Sequence, residues 1–337
     1  MATPPSSLPE DAQASGPPEA LADLAGAPVI LVIAPDDLLW QAARKTWSLQ
    51  FGEMLRHEPA VRLGQDSEAL HDMRVATRRL RASFGVFESA FPARATRPHL
   101  KRLRAAGRAL GPARDLDVLL EKAQAYQRSL AGGKGELLQP LLELWQTERG
   151  AARSAMLAYL DSAQYQKFVQ AFQGWLPNPP PAKAGLSPVR NVLPGLIQAR
   201  LQAVYAYERL IPRASLAELH ALRIEFKKLR YLIEFFRQVL GPPAEEMIVT
   251  LKIMQDHLGE LHDADVACGL LRQAIAAWDE RQAERPLRER QSPQGLVAYL
   301  EVQYAERQRL MVSAPDRWDQ FKQPAFQNNL AQALGLL

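Results

Sequence analysis

One segment occurs twice in this chain, and its repetition constrains the fold more than any other feature of the sequence. The first copy is His71–Phe87, HDMRVATRRLRASFGVF, and the second is His220–Phe236, HALRIEFKKLRYLIEFF. Both copies are rich in helix-forming residues and lack proline, so each is predicted to be one helix. Two such helices in one chain predict an internal duplication.

Helical spacing separates each copy into a basic face and an apolar face, because residues advance by about 100° each. The basic stripes are formed by His71, Arg74, Arg78 and Arg81, and by His220, Arg223, Lys227 and Arg230. The apolar faces are formed by Met73, Ala76, Leu80, Phe84 and Phe87, and by Leu222, Leu229, Ile233 and Phe236. A helix that packs on one face and carries ordered cations on the other is a candidate binding surface.

The positive charge of the chain is concentrated around the first copy. The formal net charge is only +4. Residues 71–114 nevertheless carry eleven Lys and Arg against two carboxylates, Asp72 and Glu88, and the remainder is mildly acidic. A basic region within an otherwise acidic chain indicates an anionic partner.

Several classes of protein are disfavoured by composition. The single cysteine, Cys268, excludes an internal disulfide and a cysteine-based zinc site within one chain. No apolar run approaches the length that spans a bilayer, and the first 28 residues lack Lys and Arg. We therefore expect a cytoplasmic protein that does not insert into a membrane; the sequence leaves its oligomeric state open.

The chain divides into four parts. Residues 1–35 are predicted to be a disordered tail and lead-in, 36–175 the first helical repeat, 176–188 a Pro-rich linker, and 189–337 the second repeat. Each repeat is predicted to be a set of antiparallel helices with short loops. The expected fold is all-α, with two bundles related by a pseudo-twofold axis around a basic central groove or channel.

Each repeat is further predicted to interrupt a helix at a glycine. Gly111–Pro112 and Gly259 each precede an Asp-x-Asp segment. In this interpretation Asp115 and Asp263 cap the helices that follow, and Asp117 and Asp265 form ion pairs with neighbouring arginines. A metal site built from these four aspartates for phosphate hydrolysis is the alternative.

These residues resemble the CHAD domain, the conserved histidine α-helical domain family. The resemblance rests on the His-x-x-Arg-x-x-x-(Arg/Lys)-(Arg/Lys)-Leu-Arg pattern in both copies and on the Leu-Gly…Asp-x-Asp-Val type segments 110–118 and 258–266. It covers about residues 36–334. It implies an internally symmetric helical domain whose basic channel binds inorganic polyphosphate without catalysis or a cofactor, often at polyphosphate granules. No ExExK strand of a CYTH domain occurs, so the chain resembles the stand-alone form.

The predicted contacts to polyphosphate fall into two groups. We expect the strongest from His71, Arg74, Arg78, Arg81, His220, Arg223, Lys227 and Arg230. The second group is Arg79, Lys228, Arg104, Arg108, Arg114 and Lys252. Arginine binds phosphate oxygens in pairs and lysine acts as a point charge. His262 stands where the first copy has Arg114, which predicts a weaker hold on phosphate there.

Three other interpretations remain open from the sequence. The stripes could be solvated basic faces without a ligand. They could belong to a phosphohydrolase or phosphotransferase that uses His71 or His220 as nucleophile or acid, although no P-loop accompanies them. They could bind RNA, DNA or another polyanion, although aromatic residues are not interleaved with the stripes as base stacking would require.

Overall fold

The computed structural model describes residues 32–64, 67–131 and 134–337, and this part of the chain is all-α. Its α-helices are α1 Leu39–Leu63, α2 Ser67–Val86, α3 Ala93–Ser129, α4 Gln139–Asp161, α5 Ala163–Trp175, α6 Val189–Tyr205, α7 Leu216–Phe235, α8 Arg237–Leu240, α9 Pro243–Ala283, α10 Gln294–Val312, α11 Ala314–Phe321 and α12 Pro324–Leu334. The predicted all-α class is confirmed, and the basic central groove stays a prediction. Of residues 1–35, predicted to be a disordered tail and lead-in, residues 1–31 lie outside the described residues.

The motif helices α2 and α7 bury the apolar faces that their periodicity predicts. The apolar residues of both faces have 5% or less of their surface exposed. Ser215 caps α7 by accepting a hydrogen bond from the backbone of Glu218, whose side chain accepts one from the Ser215 backbone in return. This burial fixes the rotation of both helices, so their basic stripes face away from the core.

Two helices are longer than the sequence predicts. α3 runs for 37 residues through Gly111–Pro112, and α9 runs for 41 residues through Gly259. The predicted breaks and the capping roles of Asp115 and Asp263 are therefore wrong. Gly111 is buried where α3 packs on α2. Tertiary packing outweighs the local preference of Gly-Pro for a helix end.

The starts of α1 and α6 are joined by reciprocal hydrogen bonds. The amide of Leu39 donates to the carbonyl of Ser187, and the amide of Val189 donates to the carbonyl of Asp37, both at 2.9 Å. These helices open the two predicted repeats. A pseudo-twofold axis would generate such an exchange, but the duplication itself and the boundaries at 175 and 189 stay predictions.

The Pro-rich segment before α6 packs against the first half of the chain. Its Ala182 amide donates a 2.8 Å hydrogen bond to the carbonyl of Ala90. A Cβ added to Gly185 would lie only 2.3 Å from the same oxygen, so the approach of the two backbones requires glycine. The predicted linker is therefore held closely against its neighbours.

Two apolar clusters form the interior of the described chain, and both draw on residues from each side of the linker. The larger includes Trp47 and Phe172 together with Phe226 and Trp318. The smaller lies where the C-terminal parts of α3 and α9 meet α4 and α10. The two halves therefore share their interior. None of the described helices is long and apolar enough to cross a membrane.

Candidate functional site

The motif helices α2 and α7 pack against each other. Phe87 and Phe236, which follow the two helices, meet edge to face with ring centroids 5.7 Å apart. Close by, Arg79 of α2 lies 3.1 Å from the carboxylate of Glu234 on α7. Because both helices also turn their apolar faces inward, their basic stripes lie next to each other.

Arg78 acts electrostatically on cations of both motif helices. Desolvation and then the positive charges of Arg104, Arg78 and Arg74 lower the pKa of Arg81. Burial also lowers the pKa of Arg223, and Arg78 adds to that effect across the helix pair. Arg78 therefore lies within electrostatic range of cations on both motif helices.

Lys227 is the most strongly affected member of this group. Burial and then the charges of Arg223 and Arg78 lower its pKa to about 7, with a further contribution from Arg230 that Asp263 opposes. A lysine with so low a pKa indicates cations crowded together in a partly desolvated place. We call the following residues the basic cluster: Arg74, Arg78, Arg81, Arg104, Arg223, Lys227 and Arg230.

A glycine in each long helix lies beside a motif arginine. A Cβ on Gly111 of α3 would lie 2.9 Å from Nη1 of Arg74, and the nearest atom to a Cβ on Gly259 of α9 would be Nε of Arg223, at 3.8 Å. The matched glycines thus lie beside matched arginines, and at Gly111 the contact is too close for a Cβ.

The two predicted histidines have different surroundings. In the second half, Nδ1 of His220 lies 3.1 Å from Nδ1 of His262. Burial, then Arg223 and His220, lower the pKa of His262, and Asp263 opposes the shift. In the first half the residue matched to His262 is Arg114, which lies 3.9 Å from the carboxylate of Glu68. His71 is half-buried on α2.

The Asp-x-Asp carboxylates are engaged in ion pairs. Asp115 pairs with Arg74 at 2.8 Å, and Asp263 pairs with Lys122 of the other half at 3.3 Å. The predicted pairs of the second aspartates are confirmed, Asp117 with Arg149 and Asp265 with Arg307. In the part of the chain that the structure describes, no group of three or more His, Cys, Asp or Glu is placed to hold a metal ion.

Three predicted residues outside the basic cluster, Lys228, Arg79 and Arg108, interact with other side chains. Lys228, which follows Lys227 on the helix, pairs with Glu225 at 2.6 Å. Arg79 is bound to Glu234, which also accepts a hydrogen bond from Arg230. Burial raises the pKa of Tyr159 on α4, and the positive charge of the exposed Arg108 opposes this rise.

Two further predictions lie at the margin of the site. Arg114 is half-buried beside Glu68, and Lys252 is exposed on α9. Neither residue is among those that shift the pKa values of Arg81, Arg223 or Lys227. Their contribution to binding stays a prediction.

Two polar residues in this region were not predicted. The side-chain oxygen of Gln255 accepts a 2.8 Å hydrogen bond from Nε of Arg230. Tyr231 lies under the guanidinium of Arg230, which is 4.9 Å from its ring centroid. The available signal was helical spacing, since Tyr231 is four residues after Lys227, but a search restricted to charged types passes over it.

An all-helical protein in which two similar helices bring cations together is a candidate anion-binding protein. The chain belongs to the CHAD domain family, whose model matches residues 45–272.

Comparisons with solved structures support the same fold. The chain is similar to the CHAD domain crystal structure from the plant Ricinus communis, with a TM-score of 0.63 and 23% identity, over 93% of this chain and 98% of that chain. It is also similar to PptA from Streptomyces chartreusis, with a TM-score of 0.62 and 19% identity, over 87% of this chain and 99% of that one. Among curated proteins, no match is found.

Proposed function

We propose that this protein binds inorganic polyphosphate at the basic cluster without chemically altering it. The observation that carries the proposal is the placement of Lys227, which is partly buried beside Arg223 of its own helix and Arg78 of the other, so that its pKa falls to about 7. These positive charges repel one another, and a bound anion offsets the repulsion because it attracts each of them. Membership of the CHAD family supports polyphosphate as the anion.

The arrangement suits a chain of phosphates better than one isolated anion. Arg74 and Arg81 extend along α2, and Arg223 and Arg230 extend along α7, so the positive charges are spread along both helices. A flexible polyanion meets several of these charges at once and releases its condensed counterions on binding. Arginine, the commonest type in the cluster, donates bidentately to phosphate oxygens.

Nucleic acid is the second candidate, since any polyanion is attracted by the same charges. Base stacking requires exposed aromatic rings, however, and the phenylalanines that follow α2 and α7, Phe87 and Phe236, are fully buried. We therefore propose that polyphosphate binds more tightly than RNA of equal charge.

Calorimetric titration with long-chain polyphosphate at two salt concentrations tests the proposal. The test variant is Arg78→Ala/Arg223→Ala. The control is Arg190→Ala/Lys322→Ala, which removes the same charge from two exposed residues that are ion-paired with Asp36 and Glu208. We expect salt-sensitive binding by the wild type and the control. Removing two cluster cations should flatten the logarithmic salt dependence by about 0.7 for each charge lost, and weaken affinity at low salt.

Three results would contradict the proposal. If the test variant binds polyphosphate as well as the control, the basic cluster is not the site. If RNA of equal charge binds as tightly as polyphosphate, the cluster is only a general polyanion-binding surface. Release of orthophosphate by the wild type, absent from the test variant, would instead revive a phosphohydrolase.

Binding of this kind would also retain the protein at polyphosphate granules in the cytoplasm, and we propose that location. A fluorescent fusion of the wild type should be concentrated on stained granules, and the Arg78→Ala/Arg223→Ala fusion should be evenly distributed. Equal recruitment of both fusions would show that a protein partner, and not the basic cluster, determines the location.

A further inference from the structure

Tyr231 is an uncharged residue within the basic stripe of α7. It follows Lys227 by four residues, so it projects from the same side of the helix one turn further on. The residue is 4% exposed. Its ring stacks on that of Phe235 at a centroid distance of 6.1 Å, and the Arg230 guanidinium lies 4.9 Å from its centroid. These contacts fix the ring and therefore the place of its hydroxyl.

The Tyr231 hydroxyl is buried and has no hydrogen-bond partner among the described residues. It lies within electrostatic range of Arg81 on one motif helix and Arg223 on the other. Arginine only donates hydrogen bonds and therefore offers the hydroxyl proton no acceptor. The Nε atoms of Arg78 and Arg223 are also buried without a partner. Donors from three side chains thus share a region in which none of them has found an acceptor.

Unpaired buried donors are rare, because each has lost its hydrogen bond to water without replacement. Oε2 of Glu234, which also has no hydrogen bond, lies 3.1 Å from Arg79 and is offset by that charge. The Tyr231 hydroxyl and the two arginine Nε atoms indicate a ligand that supplies acceptor oxygens and negative charge. A phosphate unit does both, since its non-bridging oxygens accept more than one hydrogen bond each. An aromatic or cationic ligand would leave the same donors unpaired.

We propose that Tyr231 is a phosphate-binding residue, whose hydroxyl donates a hydrogen bond to an oxygen of the phosphate unit bound by Arg81 and Arg223. The inference rests on the proposed function and adds to it a specific neutral contact. Because the hydroxyl is buried, the phosphate reaches it only when the arginine side chains, which have several rotatable bonds, reorient around the anion. The hydroxyl then adds a short-range, directional contact to long-range attraction.

The contact is made once in the molecule. In the first copy the residue matched to Tyr231 is Ala82, which follows Arg81 as Tyr231 follows Arg230. The two halves therefore differ at this point of the stripe, and Tyr231 distinguishes one phosphate position from the others.

The variant Tyr231→Phe removes the oxygen and retains the ring and every charge. In calorimetric titration with long-chain polyphosphate we expect the Kd to rise about tenfold, the loss of one hydrogen bond to a charged group. The dependence of affinity on salt should not change, because no cation is removed. Tyr126→Phe is the matched control, since Tyr126 packs on the smaller apolar cluster against Tyr299. It should bind as the wild type does.

Thermal unfolding supplies an independent measurement. Without polyphosphate, Tyr231→Phe should melt at a higher temperature than the wild type, because an unpaired buried hydroxyl has been removed. Saturating polyphosphate should raise the melting temperature of Tyr231→Phe by less than it raises that of the wild type. A lower melting temperature without polyphosphate would show that the hydroxyl has a structural partner, and would overturn the inference.

The two proposals fail in different ways. If Tyr231→Phe binds polyphosphate like the wild type while Arg78→Ala/Arg223→Ala does not, the role of Tyr231 is wrong and the proposed function stands. If the wild type binds no polyphosphate, both are wrong.

Discussion

Nη2 of Arg79 on α2 lies 3.1 Å from Oε2 of Glu234 on α7, and this ion pair connects the two motif helices. The side chain of Glu234 is only 10% exposed and also accepts a hydrogen bond from Arg230. One carboxylate thus orients two arginines that the sequence predicts as phosphate ligands. The pairing of α2 with α7, on which the basic cluster depends, is stabilised by this contact.

Replacing Glu234 by glutamine should therefore weaken the helix pair. Two partly buried guanidinium groups would lose their anionic partner, and we expect the free energy of unfolding to fall by about 2 kcal/mol. Urea unfolding measures the change. Glu225→Gln is the control, because Glu225 pairs with the exposed Lys228 and should change stability by less than about 1 kcal/mol. Equal effects of the two variants would show that Glu234 has no special role.

The low pKa of Lys227 makes stability depend on pH. Burial and neighbouring cations lower this pKa from 10.5 to about 7. Between these values the unfolded chain holds a proton that the folded chain has lost. The free energy of unfolding should therefore rise with pH above 7, by at most about 1.4 kcal/mol per pH unit. Urea unfolding at pH 7, 8 and 9 measures the slope. Lys227→Met should abolish it, and an unchanged slope in that variant would assign it to other groups.

Lys227 should also link polyphosphate binding to proton uptake. A bound polyanion raises the pKa of Lys227, so at pH 8 the lysine takes up a proton as the chain binds. Calorimetry in two buffers of different ionisation enthalpy reports the number of protons. We expect up to about one proton for the wild type, and a smaller number for Lys227→Met. Equal uptake by both proteins would place the linked proton elsewhere.

The glycines beside the motif arginines should respond differently to alanine. At Gly111 the new Cβ would lie 2.9 Å from Nη1 of Arg74, so Arg74 must move and its pairing with Asp115 is disturbed. We expect Gly111→Ala to weaken polyphosphate binding. At Gly259 the nearest atom is 3.8 Å away, an ordinary contact. Gly259→Ala should stabilise the helix by up to about 1 kcal/mol and leave binding unchanged. Calorimetry and urea unfolding of both variants test this contrast.

Protonation of His262, which lies beside His220, should strengthen binding in acid. The charged groups around His262 are Arg223 and Lys227 on α7 and Asp263 on α9, which pairs with Lys122 of α3. Burial and the cations lower the pKa of His262, so it is mostly neutral near pH 7, and a bound polyanion favours its protonation. Affinity should rise as the pH falls below the usual histidine range, by at most about tenfold per pH unit for each linked proton.

A matched pair of variants isolates this effect. His262→Asn should lose part of the rise in affinity, and His57→Asn, which alters a histidine beside Glu53 and Asp72, should retain it. Titrations at pH 5.5 and 7.5 provide the comparison. An identical rise in wild type and His262→Asn would contradict the prediction.

Periodicity predicted the rotation of the motif helices correctly, because burial of a residue such as Leu80 or Leu229 depends mainly on its place around the helix. The continuity of α3 could not be predicted in this way. Gly111–Pro112 has a local preference for a helix end, and only the packing of Gly111 beside Arg74 shows why the helix continues.

Which residues belong to the site could also not be predicted from a pattern of residue types. Arg78 and Arg79 are adjacent cations in the sequence. Arg78 lies among cations, whereas Arg79 lies beside the carboxylate of Glu234, and this difference follows from how α2 packs on α7. Tyr231 was passed over because its type is neutral, although its position in the stripe was visible.

The reciprocal hydrogen bonds between Leu39 and Ser187 and between Val189 and Asp37 have a consequence for synthesis on the ribosome. The Leu39 amide in the first turn of α1 donates to a carbonyl that is translated ~150 positions later, which takes roughly 8–30 s at ordinary elongation rates. Until then the nascent first half lacks this contact. It also lacks the second-half residues that complete both apolar clusters, so part of its apolar surface is uncovered. Chaperones therefore have a defined interval in which to act, and it closes only when the second half has emerged.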